Sequence, residues 1–263
     1  DEEGSSIFED LNSKINVKIK KTYIDDVNYI NDLNGNIDFN NNKINNLKLE
    51  STFPNKKKII LTIKTNNNSE TITKLLTAYP KPLIKRYDFI KGFEEGYLNF
   101  FSSKKEGVSN SVLIIDNFKV QEVPVFAKIL SLASLQGIAD LLTGEGIRFT
   151  DFEMNFSNQK GVTTIDEMYA IGPAVSILMD GYIENKKLVS LRGTLVPATT
   201  INRSIASIPL LGKILIGNKT GEGIFGVSFK IKGSPKNLKT TVNPIKTLTP
   251  RFITRTLEKI KKN

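Results

Sequence analysis

The residues that most enzymes use for covalent or acid–base catalysis are scarce in this chain. It contains no histidine and no cysteine, so Ser-His-Asp and Cys-His catalysis and His- or Cys-ligated zinc sites are excluded. Paired acids occur at Asp25-Asp26 and Glu94-Glu95. Because adjacent residues of a strand point to opposite faces, such pairs rarely act together as acid and base, and we expect them on solvated surface. We therefore predict that the protein is not an enzyme and has no catalytic residues, metal or cofactor.

The basic residues indicate a negatively charged partner without identifying it. The net charge is +10, which favours nucleic acid and anionic lipid alike. The run Lys56-Lys57-Lys58 lacks the interleaved aromatic residues of a single-strand-binding groove, and most Phe and Tyr residues fall at core-like positions. We therefore expect no nucleic-acid partner. The lack of cysteine is compatible with an oxidising compartment and with the cytosol. Since the chain begins at Asp1 without a leader, we expect a processed or excised piece.

Most of the sequence has the two-residue period of half-buried strands. Ile15, Val17 and Ile19 alternate with polar residues, Asn34-Gly35 is a turn signal, and Ile59, Leu61 and Ile63 alternate again. Such strands recur with polar turns at roughly ten-residue spacing, which is typical of an antiparallel sheet. We expect Val112, Ile114, Phe118 and Val120 to share a face. Candidates for one continuous apolar face are Val112, Ile114, Phe152, Met154, Val175, Ile177, Phe225, Val227 and Phe229.

One stretch interrupts the strand pattern with an apolar helical pattern. Pro124 suits a first helical turn, residues 125–142 are apolar on nearly every side, and Gly144-Glu145-Gly146 is a plausible stop. The stretch is too short and too charged for a membrane span. Two interpretations remain: a core helix against the sheet, or a helix at the mouth of an apolar groove. After it, Ile147 and Phe149 alternate, and a slip at Thr150-Asp151 precedes Phe152, which indicates a bulge or a change of face.

Three further segments are predicted to be helical. A short helix is expected over Glu70–Ala78. The insert Pro197–Asn218 contains apolar runs, including Leu210 and Leu211, that should pack on the helix above, on lipid or on another protein, and we place a helix near 199–216. Residues 247–262 form an amphipathic pattern with Arg251, Arg255 and Lys259 on one face. That segment is either a docking helix with a solvated basic face or a helix on an anionic bilayer.

The later part of the chain resembles the C-terminal region of the AsmA-like family, specifically its YhdP-type branch. The resemblance covers about the last 140 residues and depends on the order of several weak motifs. These motifs are Leu141-Leu142 with Gly144-Glu145-Gly146 and Phe149, Gly172-Pro173, Val196-Pro197-Ala198, Asn202, Ile208-Pro209-Leu210-Leu211-Gly212, Phe225-Gly226 and Val242-Asn243-Pro244.

The resemblance implies a non-enzymatic segment of a bacterial envelope protein. Members of this family look like an inner-membrane anchor followed by a long curled β-sheet that crosses the periplasm and moves phospholipid along an apolar groove. It therefore implies a periplasmic location, an anchor in an N-terminal segment not in this sequence, phospholipid and a membrane surface as partners, and no cofactor. An envelope scaffold whose C-terminal helices dock a partner protein or a membrane surface is the alternative.

The predicted fold is thus mainly β with a few helices, an α+β arrangement built on a long curled antiparallel sheet with an open groove. Helices are placed near residues 124–142, 199–216 and 247–262. We divide the chain into a β-meander over 1–122 and a C-terminal region over 123–263. Candidate groove or mouth contacts are Phe126, Ile129, Leu130, Ala133, Phe152, Met154, Ile177, Phe225 and Phe229. Candidate membrane or partner contacts are Leu210, Leu211, Arg251, Arg255 and Lys259.

Overall fold

A computed structural model describes residues 12–41, 43–85, 91–121, 123–133, 135, 140, 144–185, 187–197, 226–235 and 237–245. These residues form thirteen strands and two short helices. The strands are β1 (Ser13–Tyr23), β2 (Tyr29–Asn40), β3 (Lys43–Thr52), β4 (Lys58–Thr65), β5 (Thr71–Thr77), β6 (Lys91–Lys105), β7 (Val108–Gln121), β8 (Ile147–Gln159), β9 (Val162–Ile171), β10 (Val175–Glu184), β11 (Leu188–Pro197), β12 (Gly226–Ser234) and β13 (Asn237–Ile245). The helices are α1 (Lys81–Ile84) and α2 (Pro124–Leu132).

All thirteen strands belong to one antiparallel sheet whose spatial order is the order of the sequence. Each strand pairs with the one before it and the one after it, and β1 and β13 do not pair with each other, so the sheet is open. β7 and β8 are paired from Val108–Gln159 to Val120–Ile147. The sheet is therefore continuous across the boundary that we placed at residues 122–123.

The two ends of the strands differ in their connections. At one end, here called the hairpin rim, the turns are short, as at residues 106–107 and 160–161. At the other end, here called the long-loop rim, the chain makes all its long connections, including those that contain α1 and α2. Pro197, Gly226 and Ile245 also lie at the long-loop rim, because they end β11, begin β12 and end β13. The strand ends that flank the predicted helices over 199–216 and 247–262 therefore lie at the same rim as the connection that contains α2.

Helix α2 packs on one face of the sheet, which we call the inner face. Its buried residues Phe126, Ile129 and Leu130 join a core cluster with side chains of β6–β12, and the helix also contacts β13.

Helix α2 is shorter than the predicted helix over 124–142. It ends at Leu132, where the Ala133 amide donates to the Ile129 carbonyl and the Leu135 amide donates to the Leu130 carbonyl at 2.9 Å. The second bond spans five residues, as in the closing turn of many helices. It returns Leu135 to the core cluster, where that side chain is partly buried. The predicted helix is therefore present over Pro124–Leu132 and is interrupted at Ala133, while most of residues 134–143 lie outside the described residues.

Two local predictions in the first half of the chain are also wrong. Residues 71–77 form strand β5 and not a helix. Each of these residues lies opposite a residue of β4 and a residue of β6, and the β-branched Thr and Ile residues there suit a strand. Asn34-Gly35 is not a turn but lies inside β2. Gly35 has a φ of 155°, and a Cβ at this position would collide with the backbone of Lys48 on β3. This glycine thus permits close strand approach.

The predicted slip at Thr150-Asp151 is present, and a matching irregularity lies beside it. Phe149 and Phe152 are three residues apart on β8, yet both rings contact Phe118. On β7, Asn117 has a φ of 52°, so Ile115 and Phe118 are both buried on the inner face. Val112 and Ile114 consequently lie on the opposite, outer face. Our prediction that they share a face with Phe118 and Val120 is wrong, because the extra residue at Asn117 inverts the alternation.

Candidate functional site

The inner face contains an unbroken apolar row that crosses every strand. The row consists of residues that lie directly opposite each other on successive strands from β1 to β13, and none of them has a polar side chain. Its members are Val17, Gly35, Leu49, Leu61, Leu75, Phe100, Leu113, Met154, Met168, Met179, Gly193, Phe229 and Val242. The corresponding outer row contains Lys18, Asn34, Glu50, Glu153 and Asn243 among its members. The sheet thus has one continuous apolar strip on its inner face.

A second inner row runs beside the first on the side of the long-loop rim. It includes Ile59, Leu98, Ile115, Phe152, Ile177, Leu195 and Val227. Its few polar members have partners within the protein: the Thr77 hydroxyl donates to the Lys58 carbonyl at 3.1 Å, and the Ser51 hydroxyl donates to the Asn31 carbonyl at 2.6 Å. Because both hydroxyls already have acceptors within the protein, an apolar ligand lying along these rows would not leave either of them without a hydrogen bond.

The chain's three methionines lie side by side in the first row. Met154, Met168 and Met179 occupy adjacent positions on β8, β9 and β10, and each is half-buried. Methionine is unbranched and has a polarizable thioether, so its side chain adapts to partners of different shape. The middle of the inner face can therefore adjust its surface to an apolar ligand.

The two halves of the inner face are covered to different extents. In β6–β12 many inner side chains pack with α2 in the core cluster, and Val175, Leu195 and Val227 are inaccessible to solvent, whereas Met154 and Met168 lie outside this cluster and are half-buried. Among the described residues, no inner side chain of β1–β4 belongs to this cluster. Ile15 and Ile19 are 43% and 45% exposed. The apolar strip is thus covered near α2 and is more open over the first strands, where Ile15 and Ile19 are exposed, Leu61 is half-buried and Leu47 is buried.

The candidate groove residues of the described chain fall into two groups. Phe126, Ile129 and Leu130 of α2 are buried in the core cluster, and Ala133, which follows the helix, is also buried, which supports the core-helix interpretation. Phe152, Met154, Ile177 and Phe229 share one face of the sheet, the inner face. Phe225, Leu210, Leu211, Arg251, Arg255 and Lys259, and the predicted helices over 199–216 and 247–262, lie outside the described residues.

The inner residues of β3–β5 were missed as site candidates, although Leu49, Leu61, Ile63 and Leu75 have the same two-residue period as the residues that were chosen. Sequence reasoning also missed a depression of about 230 Å³ on the outer face, which Ile60, Leu76 and Tyr97 line together with Lys58, Thr77, Ala78, Leu98, Asn99 and Asp116. Leu76 is 43% exposed and Tyr97 is 57% exposed. Leu75 and Leu76 are consecutive, so in a strand they point to opposite faces. This pair could have revealed the second apolar surface.

Charged groups near the long-loop rim are organised in surface pairs. Arg148 donates two hydrogen bonds to Glu95, at 2.9 and 3.0 Å. The Arg148 hydrogen bonds lower the pKa of Glu95, and the carboxylate in turn raises the pKa of Arg148. Lys81 lies 3.5 Å from Glu94. The paired acids that we considered as acid–base candidates, Glu94 and Glu95, thus bind separate cations at the surface.

The described part of the chain contains no group of three or more acidic, histidine or cysteine residues that could hold a metal ion. Within the same residues, neither helix is long and apolar enough to cross a membrane. The functional geometry that remains is the apolar strip of the inner face.

Together these features define a class of protein: a mainly β protein with an open, thirteen-stranded antiparallel sheet and short helices at one rim. No protein-family model, curated protein or solved structure matches this chain. The resemblance to the AsmA-like family remains a prediction from the motifs.

Proposed function

We propose that this protein is a non-enzymatic segment that binds and conducts phospholipid acyl chains along the apolar inner face of its sheet. The single observation that carries this proposal is the apolar row from Val17 to Val242, which runs across all thirteen strands without a polar side chain. In a globular domain such a face would be sealed by a second layer. Here α2 covers one end of it, while Ile15 and Ile19 at the other end are exposed.

The dimensions of the strip suit a path longer than one lipid. Thirteen strands at a spacing of about 4.8 Å extend over roughly 58 Å across the sheet. Each CH₂ group of an acyl chain that leaves water for the strip contributes about 0.8 kcal/mol. The row offers no polar side chain that would hold an acyl chain at one strand, so a chain could move from strand to strand without first escaping a deep energy minimum. The charged headgroup would remain in water at the open side.

The proposal places this conduction in the periplasm, between an inner and an outer membrane, with phospholipid as the transported molecule and the AsmA-like family as the wider protein class. These assignments depend on the motif resemblance. The alternative is an envelope scaffold whose C-terminal helices dock a partner protein or a membrane surface. It is favoured by the position of both described helices and of Pro197, Gly226 and Ile245 at one rim.

The decisive experiment compares two substitutions on one strand. Leu61→Asp puts a carboxylate into the open part of the apolar row, and Thr62→Asp puts the same group on the outer face one residue away. Both sites are half-buried and lie outside the core cluster, so both variants should fold, which circular dichroism checks. We would measure phospholipid recovered from protein purified out of bacterial envelope by native mass spectrometry with lipid extraction. We would then measure rebinding of a fluorescent phosphatidylethanolamine labelled on an acyl chain.

We expect bound phospholipid on the unmodified protein and on Thr62→Asp, and loss of most of it on Leu61→Asp. The three methionines give a readout without mutation: bound lipid should slow the oxidation of Met154, Met168 and Met179 by hydrogen peroxide, followed as a mass shift of each peptide. No recoverable or rebound lipid on the unmodified protein, or equal lipid on the two variants, would overturn lipid conduction and favour the scaffold.

A further inference from the structure

The two edges of the sheet differ in the protection that they have against further pairing. β13 has nine residues, includes Pro244 near its end and contacts α2. Proline cannot donate a backbone hydrogen bond, so it blunts an edge. β1 has eleven residues without proline or glycine, and in the described part of the chain its one sheet neighbour is β2. One side of its backbone therefore has no strand among the described residues to pair with.

The side chains of β1 are sorted by face as in an interior strand. Ile15, Val17 and Ile19 lie on the inner face in line with Ile37, Gly35 and Leu33 of β2. Lys14, Lys18 and Lys20 are exposed and alternate with them. A strand that paired with the free side of β1 would extend the apolar strip of the inner face and would meet these lysines on the outer face.

The lysines decide which kind of strand fits. Residues directly opposite each other in an antiparallel pair attract when their charges are opposite and repel when they are alike. Two copies of β1 paired through this edge would place lysines against lysines, which disfavours self-association. Acidic residues at the same positions would form cross-strand ion pairs while the apolar residues met Ile15, Val17 and Ile19.

We propose that the edge of β1 with which no described strand pairs is a docking site for an extended strand of another polypeptide that alternates apolar and acidic side chains. The interaction is strand addition: backbone hydrogen bonds supply affinity, and the alternating side chains supply specificity. This inference does not depend on lipid binding, because the backbone edge, the outer lysines and the apolar residues of β1 can bind a strand whether or not lipid is present.

The experiment uses two synthetic ten-residue peptides labelled with fluorescein, one alternating isoleucine with glutamate and the other alternating isoleucine with lysine. Fluorescence anisotropy measures their affinity for the whole chain. We expect the glutamate peptide to bind at least about tenfold more tightly than the lysine peptide, and to slow amide hydrogen exchange in β1. The triple variant Lys14→Glu, Lys18→Glu, Lys20→Glu should invert this preference.

A control carries the same kind of charge change, at two positions, on interior strands. Lys64 and Lys74 lie on the outer face of β4 and β5, each of which already has two neighbours, so Lys64→Glu with Lys74→Glu should leave the preference unchanged. If the triple variant does not fold, Lys18→Gln with Lys20→Gln should still reduce the preference. The proposal is overturned if neither peptide binds, if both bind equally, or if the control shifts the preference as much as the β1 variant. Phospholipid content, measured in parallel, reports separately on the lipid proposal.

Discussion

Phe118 on β7 and Phe149 on β8 lie opposite each other, with ring centroids 5.5 Å apart and ring planes 21° apart. Phe93 on β6 stacks on the other side of Phe118 at 5.3 Å. The stack lies next to the extra residues that invert the alternation in β7 and β8, so it fixes the inner face where the backbone is least regular. It also joins three strands beside α2.

Removal of the central ring should therefore destabilise the sheet. We expect Phe118→Ala to lower the free energy of unfolding by about 3–5 kcal/mol, because the ring is buried and its loss leaves a cavity. Urea unfolding followed by circular dichroism measures the change. Phe101→Ala is the control: Phe101 is 37% exposed on the outer face of β6, and its removal should cost clearly less. Equal losses would contradict the role assigned to the stack.

Helix α2 offers a matched pair of leucines two residues apart. Leu130 is inaccessible to solvent, whereas Leu132 is 52% exposed. Leu130→Ala should cost about 2–5 kcal/mol of unfolding free energy, and Leu132→Ala should change it by about 0.5 kcal/mol or less. Thermal and urea unfolding would check both values. A large loss from Leu132→Ala would mean that the exposed side of the helix is covered in solution.

Gly193 is expected to be intolerant of any side chain. A Cβ at this position of β11 would lie 2.5 Å from Cζ of Phe229 and 2.5 Å from the Leu178 carbonyl oxygen. Gly193→Ala must therefore displace the ring or move β10, and we expect a loss of about 1–3 kcal/mol. Addition of Phe229→Leu should recover part of the loss by freeing the space of the ring. A double variant no more stable than expected from adding the two single losses would exclude this clash as the cause.

The turn between β1 and β2 should respond to acid through Asp25. Its carboxylate accepts hydrogen bonds from the backbone amides of Asn28 and Val27, at 2.7 and 2.8 Å, and from the Asn28 side chain. The Asn28 bonds are the largest cause of the lowering of the Asp25 pKa from its usual 3.8 to about 2. Because the pKa is lowered in the folded state, the stabilisation is complete above about pH 4 and is lost as the pH falls from there through about 2.

The measurement compares the unmodified protein with Asp25→Asn across that range. We expect the variant to be less stable at pH 7 and the difference to shrink steadily between pH 4 and pH 2, since the protonated aspartate resembles asparagine. Urea unfolding at each pH follows the difference. A difference that stays constant down to pH 2 would show that the charge of Asp25 does not stabilise the turn.

Some features could be read from short stretches of the chain because their cause is local. The alternation of Ile15, Val17 and Ile19 predicts a half-buried strand wherever that strand lies, and the same pattern repeated along the chain predicts a mainly β fold. The slip at Thr150-Asp151 was visible because it breaks a two-residue period. Pro124 predicts a helix start for a similar reason, since its fixed φ acts on its own backbone.

Other features depended on partners far away in the sequence. Residues 71–77 have Ile72, Leu75 and Leu76 at a spacing that also suits a helix, and pairing with β4 and β6 decided the outcome. Asn34-Gly35 looks like a turn until Lys48 of β3 is placed against Gly35. The face assignment of Val112 and Ile114 failed because one residue, Asn117, adopts a positive φ that no periodic pattern reveals.

The sequence by itself determined that this chain has strands with one apolar side and lacks the histidine and cysteine residues of common active sites, because composition and two-residue periodicity are properties of the chain alone. Only the tertiary structure decided that Val17, Met154 and Phe229 belong to one row. Strand register depends on backbone hydrogen bonds between strands, and a shift of one residue would turn every side chain of a strand to the other face. The same pairing left β1 at an edge and placed α2 over the opposite half of the strip.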